Sequence, residues 1–178
     1  MDICNYVRRH HAGTVRRIWD ETAATGREHG TVLYGDGRST GLTAGREADV
    51  GGYQTGAPAG AKRKVTLHTH PSNNVAPSLR DLTSVASAWQ FPPARKQWSD
   101  PSRAVRGLAI ASSRLGEEGV TVHAWTANRA ALSMDVDGQQ AVSREAHSIA
   151  NGTGPAFRKK EQLSKFLSQY VDECYVTI

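Results

Sequence analysis

Apolar and polar residues alternate along this chain with two different periods. Apolar residues recur at helical spacing through residues 3–25 and predict a long N-terminal helix. Its inward-facing positions are Ile3, Val7, Val15, Ile18 and Trp19. Shorter apolar runs, bounded by Gly, Pro and Asn residues that favour turns, predict strands. These strands span residues 31–34, 39–44, 64–70, 105–112 and 120–127.

Helical spacing returns twice in the second part of the chain. A helix is predicted from Ser78 through Trp89, and residues 140–173 are predicted to be mostly helical with a break before Pro155. We therefore expect an α/β (α+β) fold. In it, a mixed central β-sheet is flanked by the N-terminal helix, the middle helix and the C-terminal helices.

Length and composition fit a single domain over residues 1–178, with 140–178 as a mostly helical C-terminal extension. Hydrophobic residues make up 38% of the chain and charged residues 22%, so a packed core is expected. The stretch 45–60 is rich in Gly and Ala and predicts a long exposed loop, of the kind that often forms a functional flap.

The charge pattern gives only a weak indication of a polyanionic partner, and an acidic protein would fit it equally well. Lys and Arg number 22 against 17 Asp and Glu, which gives a net charge of +5. The positive residues lie in small scattered groups, so nucleic-acid binding is indicated only weakly. No apolar run is long enough to span a membrane, and the N-terminus lacks the apolar core of a secretory signal. A cytoplasmic location is therefore expected.

The two cysteines, Cys4 and Cys174, lie near opposite ends of the chain. Neither has a second cysteine at metal-binding spacing, which argues against a cysteine zinc site. In a reducing compartment we expect free thiols, and a single disulfide between the ends is the alternative.

The most informative segment is His68-Thr69-His70, followed after seven residues by a Ser78-x-x-Asp81 motif. On a strand, residues two apart project from one face, so both histidines can reach one ion while Thr69 points away. Asp81 falls in the first turn of the predicted helix, where a carboxylate suits the positive end of the helix dipole.

Two imidazoles and one carboxylate form a three-ligand zinc set that leaves the fourth position to water, as in catalytic zinc sites. Zinc lowers the pKa of that water to about 7. An isolated pair of histidines is a weak signal. All four fixed residues at this spacing would arise by chance in about one chain of this composition in a thousand.

The segment LHTHPSNNVAPSLRDL resembles the signature of the JAMM (MPN+, JAB domain) metalloproteases, a distant Glu followed by H-[ST]-H-x7-S-x-x-D. RadC-type proteins share the wording HxHPS…PSxxD but have a longer N-terminal region. The resemblance covers residues 15–130 and implies an MPN/JAB-like fold. It implies one Zn²⁺ ion bound by His68, His70 and Asp81, and hydrolysis of peptide or isopeptide bonds.

Such chemistry requires a general base, for which Glu21, Glu28 and Glu47 are the upstream candidates. Glu28 resembles the family's acidic residue best, because a strand of small and apolar residues follows it. His29 would point to the opposite face of that strand and is interpreted as structural or exposed. Ser78 is both a good helix N-cap and, by the resemblance, a residue that stabilises the oxyanion.

The resemblance further implies a ubiquitin-like protein, or its conjugate with a Gly-ended extended tail, as the partner, together with proteins of a conjugation system. Three alternatives stay open. The chain could be a phage-tail or cell-wall peptidase of the same fold, a non-catalytic MPN scaffold, or a basic nucleic-acid-binding domain.

Overall fold

A six-stranded sheet organises the residues that the computed structural model describes, which are 2–45, 63–72, 74–87, 107–113 and 118–178. Its strands are β1 (His29–Tyr34), β2 (Thr43–Ala44), β3 (Arg63–Thr69), β4 (Gly107–Ser112), β5 (Thr121–Ala127) and β6 (Val171–Thr177). Their order across the sheet is β2-β1-β3-β4-β5-β6. The central pair β3 and β4 is parallel and the other neighbours are antiparallel, so the sheet is mixed.

Helices cover both faces of this sheet. They are α1 (Ile3–Thr25), α2 (Leu79–Ser87), α3 (Arg129–Leu132), α4 (Val136–Asn151) and α5 (Ala156–Leu167). On one face α1 packs against the strands, and on the other α2, α4 and α5 pack together against β4 and β5. The predicted α/β fold with a mixed central sheet is confirmed.

The long helix α1 follows the predicted boundaries. The Asp2 carboxylate accepts a hydrogen bond from the backbone N–H of Asn5 at 2.8 Å, and Gly26 ends the helix at a φ of 67°, a conformation that glycine adopts readily. Between these ends, the predicted inward positions are buried against the sheet, with Trp19 partly buried.

Two hydrophobic cores result from the alternation of side chains along the strands. Under α1 lie Leu33, Leu67, Ala109 and Val122, among others. Under the other helices lie apolar residues of the opposite sheet face, namely Leu108, Ile110, Trp125 and Ala127. β4 and β5 therefore contribute to both cores through alternate residues, as a period of two requires.

Strand pairing places the end of β3 in the middle of the sheet. His68 pairs with Gly30 of β1 on one side and with Ile110 of β4 on the other. Beyond the strand, the backbone N–H of His70 still donates to the carbonyl of Ala111 at 3.0 Å. The histidine segment is therefore fixed by two neighbouring strands.

Two predicted elements differ from the structure. The strand predicted over residues 39–44 is reduced to β2, with one further bridge between Ser39 and Leu33. The C-terminal segment is helical in α4 and α5, but residues 171–177 form β6 against β5, whereas the predicted helical segment extends to residue 173. Cys174 and Val176 of β6 pack against the core under α1, and a single sequence window does not reveal that face.

The prediction of free thiols is wrong, because Cys4 and Cys174 form a disulfide with their Cα atoms 6.1 Å apart. Cys174 pairs with Ala124 in the sheet and therefore points to the α1 face, where Cys4 lies in the first turn of the helix. The contact depends on β6, so an interpretation that makes this segment helical cannot anticipate it.

Within the described ranges, no helix is both long and apolar enough to cross a bilayer.

Removing the disulfide should destabilise the protein substantially. The bond joins residues separated by 170 positions, and closing so long a loop restricts the unfolded chain. We expect the Cys4→Ala/Cys174→Ala variant to lose about 2–5 kcal/mol in the free energy of unfolding, measured by urea denaturation. Wild-type protein in reductant is the control and should match the variant. Two thiols that react in the native, unreduced protein would contradict the bond.

Candidate metal centre

Three potential ligand atoms converge at the C-terminal end of β3. The Nε2 atoms of His68 and His70 are 3.1 Å apart, and the Asp81 carboxylate lies 3.2 Å from the first and 3.5 Å from the second. The side chains are largely buried, with exposed fractions of 7% for His68, 12% for His70 and 13% for Asp81. These residues form a group that could hold a metal ion.

Strand geometry brings the two histidines together. Because His68 and His70 are two residues apart in extended backbone, their rings project from the same face, with centroids 5.0 Å apart. That face is the one covered by α2. Gly30, directly opposite His68 on β1, has no side chain to fill the space beside the rings.

The loop after β3 fixes the tautomer of His70. Its Nδ1 lies 3.1 Å from the backbone carbonyl of Asn74, which can only accept a hydrogen bond, so Nδ1 carries the proton. In the neutral ring the opposite nitrogen, Nε2, therefore carries the lone pair on the side of His68 and Asp81, and in the charged ring it can donate to the Asp81 carboxylate. The hydroxyl of Ser112 also donates to the His70 carbonyl at 2.9 Å and holds the backbone of the residue.

A reciprocal capping box positions Asp81. The backbone N–H and the hydroxyl of Ser78 both donate to Asp81 Oδ2 at 2.7 Å, and the Ser78 hydroxyl accepts from the Asp81 backbone N–H at 3.1 Å. This leaves Oδ1 directed at His68. One carboxylate thus caps α2 and also completes the ligand group.

Charge interactions in the group oppose the effect of burial. Burial favours the neutral imidazole of His70, but its hydrogen bond to Asp81 and the charges of Asp81 and Glu28 raise its pKa above the ordinary value. Burial likewise disfavours the charged carboxylate of Asp81, whereas hydrogen bonds from His68, His70 and Ser78 hold its pKa far below the usual range. Asp81 is therefore ionised at neutral pH.

Glu28 is the one predicted general base that the structure places beside this group. Its carboxylate lies 3.9 Å from His70 Nε2 and is only 10% exposed. Glu28 directly precedes β1, on the side of the sheet that His68 and His70 face. By contrast, Glu21 is exposed on α1, and Glu47 lies outside the described residues, as do Trp89, Trp98 and most of the predicted 45–60 loop.

The remaining histidines do not join the group. The His29 ring points to the α1 face, where its Nδ1 lies 3.0 Å from the Arg27 carbonyl, in agreement with a structural role. His123 stacks between two aromatic rings and lies 3.1 Å from Glu173 Oε2. Trp125 is buried in the core.

Three contributors to the site were not identified from the sequence. Asn74 acts through its backbone carbonyl and Gly30 through its lack of a side chain, so neither carries a motif signal. Thr69 was predicted to point away from the ligand group, and it does, but its hydroxyl is bonded to His29 behind the site. An alternating strand pattern shows to which face of the sheet a residue such as Thr69 points. It does not show which group on that face the residue will bind.

None of the protein-family models, curated proteins or solved structures compared with this chain matches it. The site is therefore interpreted from its own geometry. Two imidazoles, two carboxylates and one hydroxyl meet at the partly buried C-terminal end of β3. Such a set can bind a cation and move a proton next to it.

Loss of the capping hydroxyl should destabilise α2. In Ser78→Ala, the backbone N–H of Asp81 loses its acceptor and the carboxylate loses one donor. We expect the free energy of unfolding to fall by about 1 kcal/mol, measured by denaturant titration. Ser84→Ala, an exposed serine on the same helix, is the matched control and should change stability by less than about 0.5 kcal/mol. Equal losses in the two variants would contradict the cap.

Proposed function

We propose that this protein is a zinc-dependent peptidase of the JAMM (MPN+) type, with an MPN/JAB-like fold and His68, His70 and Asp81 as the zinc ligands. The observation that carries the proposal is the convergence of these three side chains with Glu28 next to them. The same four residues are the ones that resemble the JAMM signature, so geometry and resemblance support one interpretation.

The spacing of the donor atoms suits zinc. With bonds of about 2.0–2.1 Å, the ligand atoms of a tetrahedral zinc site lie about 3.3 Å from one another. The two Nε2 atoms are 3.1 Å apart and Asp81 Oδ1 lies 3.2 Å from His68 Nε2, both close to that value, while the 3.5 Å contact of His70 is to the other carboxylate oxygen, Oδ2. Nitrogen and carboxylate ligands are also those that zinc accepts, and three protein ligands are typical of catalytic sites.

When bound there, zinc would act as a Lewis acid on a carbonyl group and would lower the pKa of a coordinated water to about 7. The chain's own residues supply the rest. Glu28, beside His70, is placed to take a proton on its carboxylate and to return it to a departing amine. Its low exposure keeps bulk water from competing for that proton.

Ser78 has a second role in this proposal. Its hydroxyl lies at the exposed start of α2 and is already bonded to a ligand carboxylate. In that position it would donate a hydrogen bond to the oxyanion that forms at the scissile carbonyl. Because the hydroxyl has a single proton, this donation would replace its bond to Asp81 Oδ2, and the Asp81 backbone N–H would still hold the hydroxyl oxygen in place.

For the substrate, we propose an isopeptide bond between the Gly-ended tail of a ubiquitin-like protein and a lysine, or a precursor of such a tail. This part rests on the resemblance.

A different substrate class, the peptide stems of a cell wall, is favoured by one observation. The Cys4–Cys174 disulfide is typical of proteins that work in oxidising surroundings, where cell-wall and phage-tail peptidases act.

Zinc binding and cleavage test the two parts of the proposal together. Purified protein should contain one zinc per chain, and zinc in thousandfold excess over its Kd should stabilise it by about 4 kcal/mol in thermal denaturation. His68→Ala should lose the zinc. Glu28→Ala should keep it, yet lose cleavage by about 10²–10⁴-fold.

Glu21→Ala is the matched control, since Glu21 is an exposed glutamate outside the site. It should keep both zinc and cleavage. Ubiquitin-like fusions and peptidoglycan stem peptides, assayed side by side, separate the two substrate classes. A protein that takes up no zinc even after supplementation would overturn the enzymatic interpretation and favour a scaffold role.

A further inference from the structure

A buried chain of hydroxyl groups lies directly behind the candidate metal centre. The His29 backbone N–H donates to the Thr69 hydroxyl at 2.9 Å, and the Thr69 and Thr22 hydroxyl oxygens are 2.5 Å apart. Thr22 in turn donates to the Ile18 carbonyl of α1 at 2.9 Å. Thr22 and Thr69 have no exposed surface, so these bonds are shielded from water.

Thr22 donates its one proton to the Ile18 carbonyl, so its hydroxyl oxygen accepts in the contact with Thr69. The single proton of Thr69 has two acceptors within reach, the Thr22 hydroxyl at 2.5 Å and the His29 carbonyl at 3.3 Å. Thr69 itself accepts from the His29 N–H. The result is an unbroken series of hydrogen bonds from the start of β1, through the end of β3, to the C-terminal half of α1.

The β1–β3 ladder does not reach the first residue of β1, although His29 is still paired with Ala44 of β2. The last recorded β1–β3 pair is Gly30 with His68, and continuing the antiparallel register would set His29 opposite Thr69 and Glu28 opposite His70. At that position the Thr69 side chain, rather than a ladder partner, accepts the His29 N–H. The hydroxyl thus extends the attachment of β1 to β3 by the one residue that adjoins Glu28.

The backbone on both sides of Glu28 is held through the same cluster. The His29 ring binds the Arg27 carbonyl at 3.0 Å, on the N-terminal side of Glu28. The carbonyl of Glu28 itself accepts from the backbone N–H of Gly45 at 2.8 Å. The His29 ring also lies 3.3 Å from the Thr22 hydroxyl. His29 therefore belongs both to the hydroxyl chain and to the contacts that hold the backbone around Glu28.

We propose that Thr69 is a positioning residue that sets the distance between the Glu28 carboxylate and the ligand group. It lies between two ligand histidines on β3 but acts on the opposite sheet face, through the backbone of His29. Its catalytic consequence rests on the proposed function. Its effect on the Glu28 backbone does not.

The test compares Thr69→Val with Thr69→Ser. Valine keeps the shape and removes the hydroxyl, whereas serine keeps the hydroxyl. Both variants retain all three ligand side chains and should bind zinc as wild type does. We expect Thr69→Val to lower kcat by about 10- to 100-fold with little change in KM, because misplacement of a reacting group by about 1 Å has such a cost. Thr69→Ser should keep kcat within about threefold of the wild-type value.

A double variant separates positioning from general damage. If Thr69 acts through Glu28, Thr69→Val should change the residual cleavage of Glu28→Ala by less than about twofold. A further loss as large as the one seen in the wild-type background would show that Thr69 has a merely structural role and would overturn the proposal.

Amide hydrogen exchange provides the readout that needs no activity. The Gly45 N–H, bonded to the Glu28 carbonyl, should exchange about tenfold faster in Thr69→Val and at the wild-type rate in Thr69→Ser. The Thr40 N–H, bonded to the Val32 carbonyl of the same strand, is the matched control and should not change. Unchanged Gly45 exchange, or equal acceleration at both amides, would overturn the positioning role. Absence of zinc and cleavage in wild type with the Gly45 effect intact would overturn only the proposed function.

Discussion

The alternation of side chains at the end of β3 is the constraint on which the site depends. His68 and His70 point to the face under α2, and Thr69, between them, points to the face under α1. Three consecutive residues thus connect both layers of helices to one point of the sheet. A shift of one residue in register would exchange the two faces and abolish both the ligand group and the hydroxyl chain.

Two helices contribute residues to the site from their terminal turns, α2 from its first turn and α1 from its last turns. The first turn of α2 supplies Asp81, held by its capping box with Ser78. The last turns of α1 supply Thr22, which anchors the start of β1 through Thr69. Helix ends carry unsatisfied backbone groups and are positioned by specific hydrogen bonds, so they fix side chains more exactly in direction than loops do.

Most of the fold and the convergence of His68, His70 and Asp81 could be predicted from the sequence, because both depend on local patterns. The period of α1, the strand of His68 and His70 and the cap at Ser78 are each encoded within a few neighbouring residues. The features that were missed depend on distant partners. Cys4 meets Cys174 only after β6 has joined β5, and Thr69 meets Thr22 only after α1 has packed on the sheet. Side-chain periodicity indicates a face but not the residue across from it.

The electrostatics of the group explain why a cation fits it. The Nδ1 proton of His70 is committed to the Asn74 carbonyl, so its Nε2 faces a second imidazole and the Asp81 carboxylate as an acceptor. Glu28 adds a further carboxylate within 3.9 Å. Acceptors that face one another in partly buried surroundings repel unless a proton or a metal ion lies between them. The raised pKa of His70 expresses this demand for positive charge. A divalent ion meets the same demand with two charges, and metal binding at such a site is accordingly coupled to proton release.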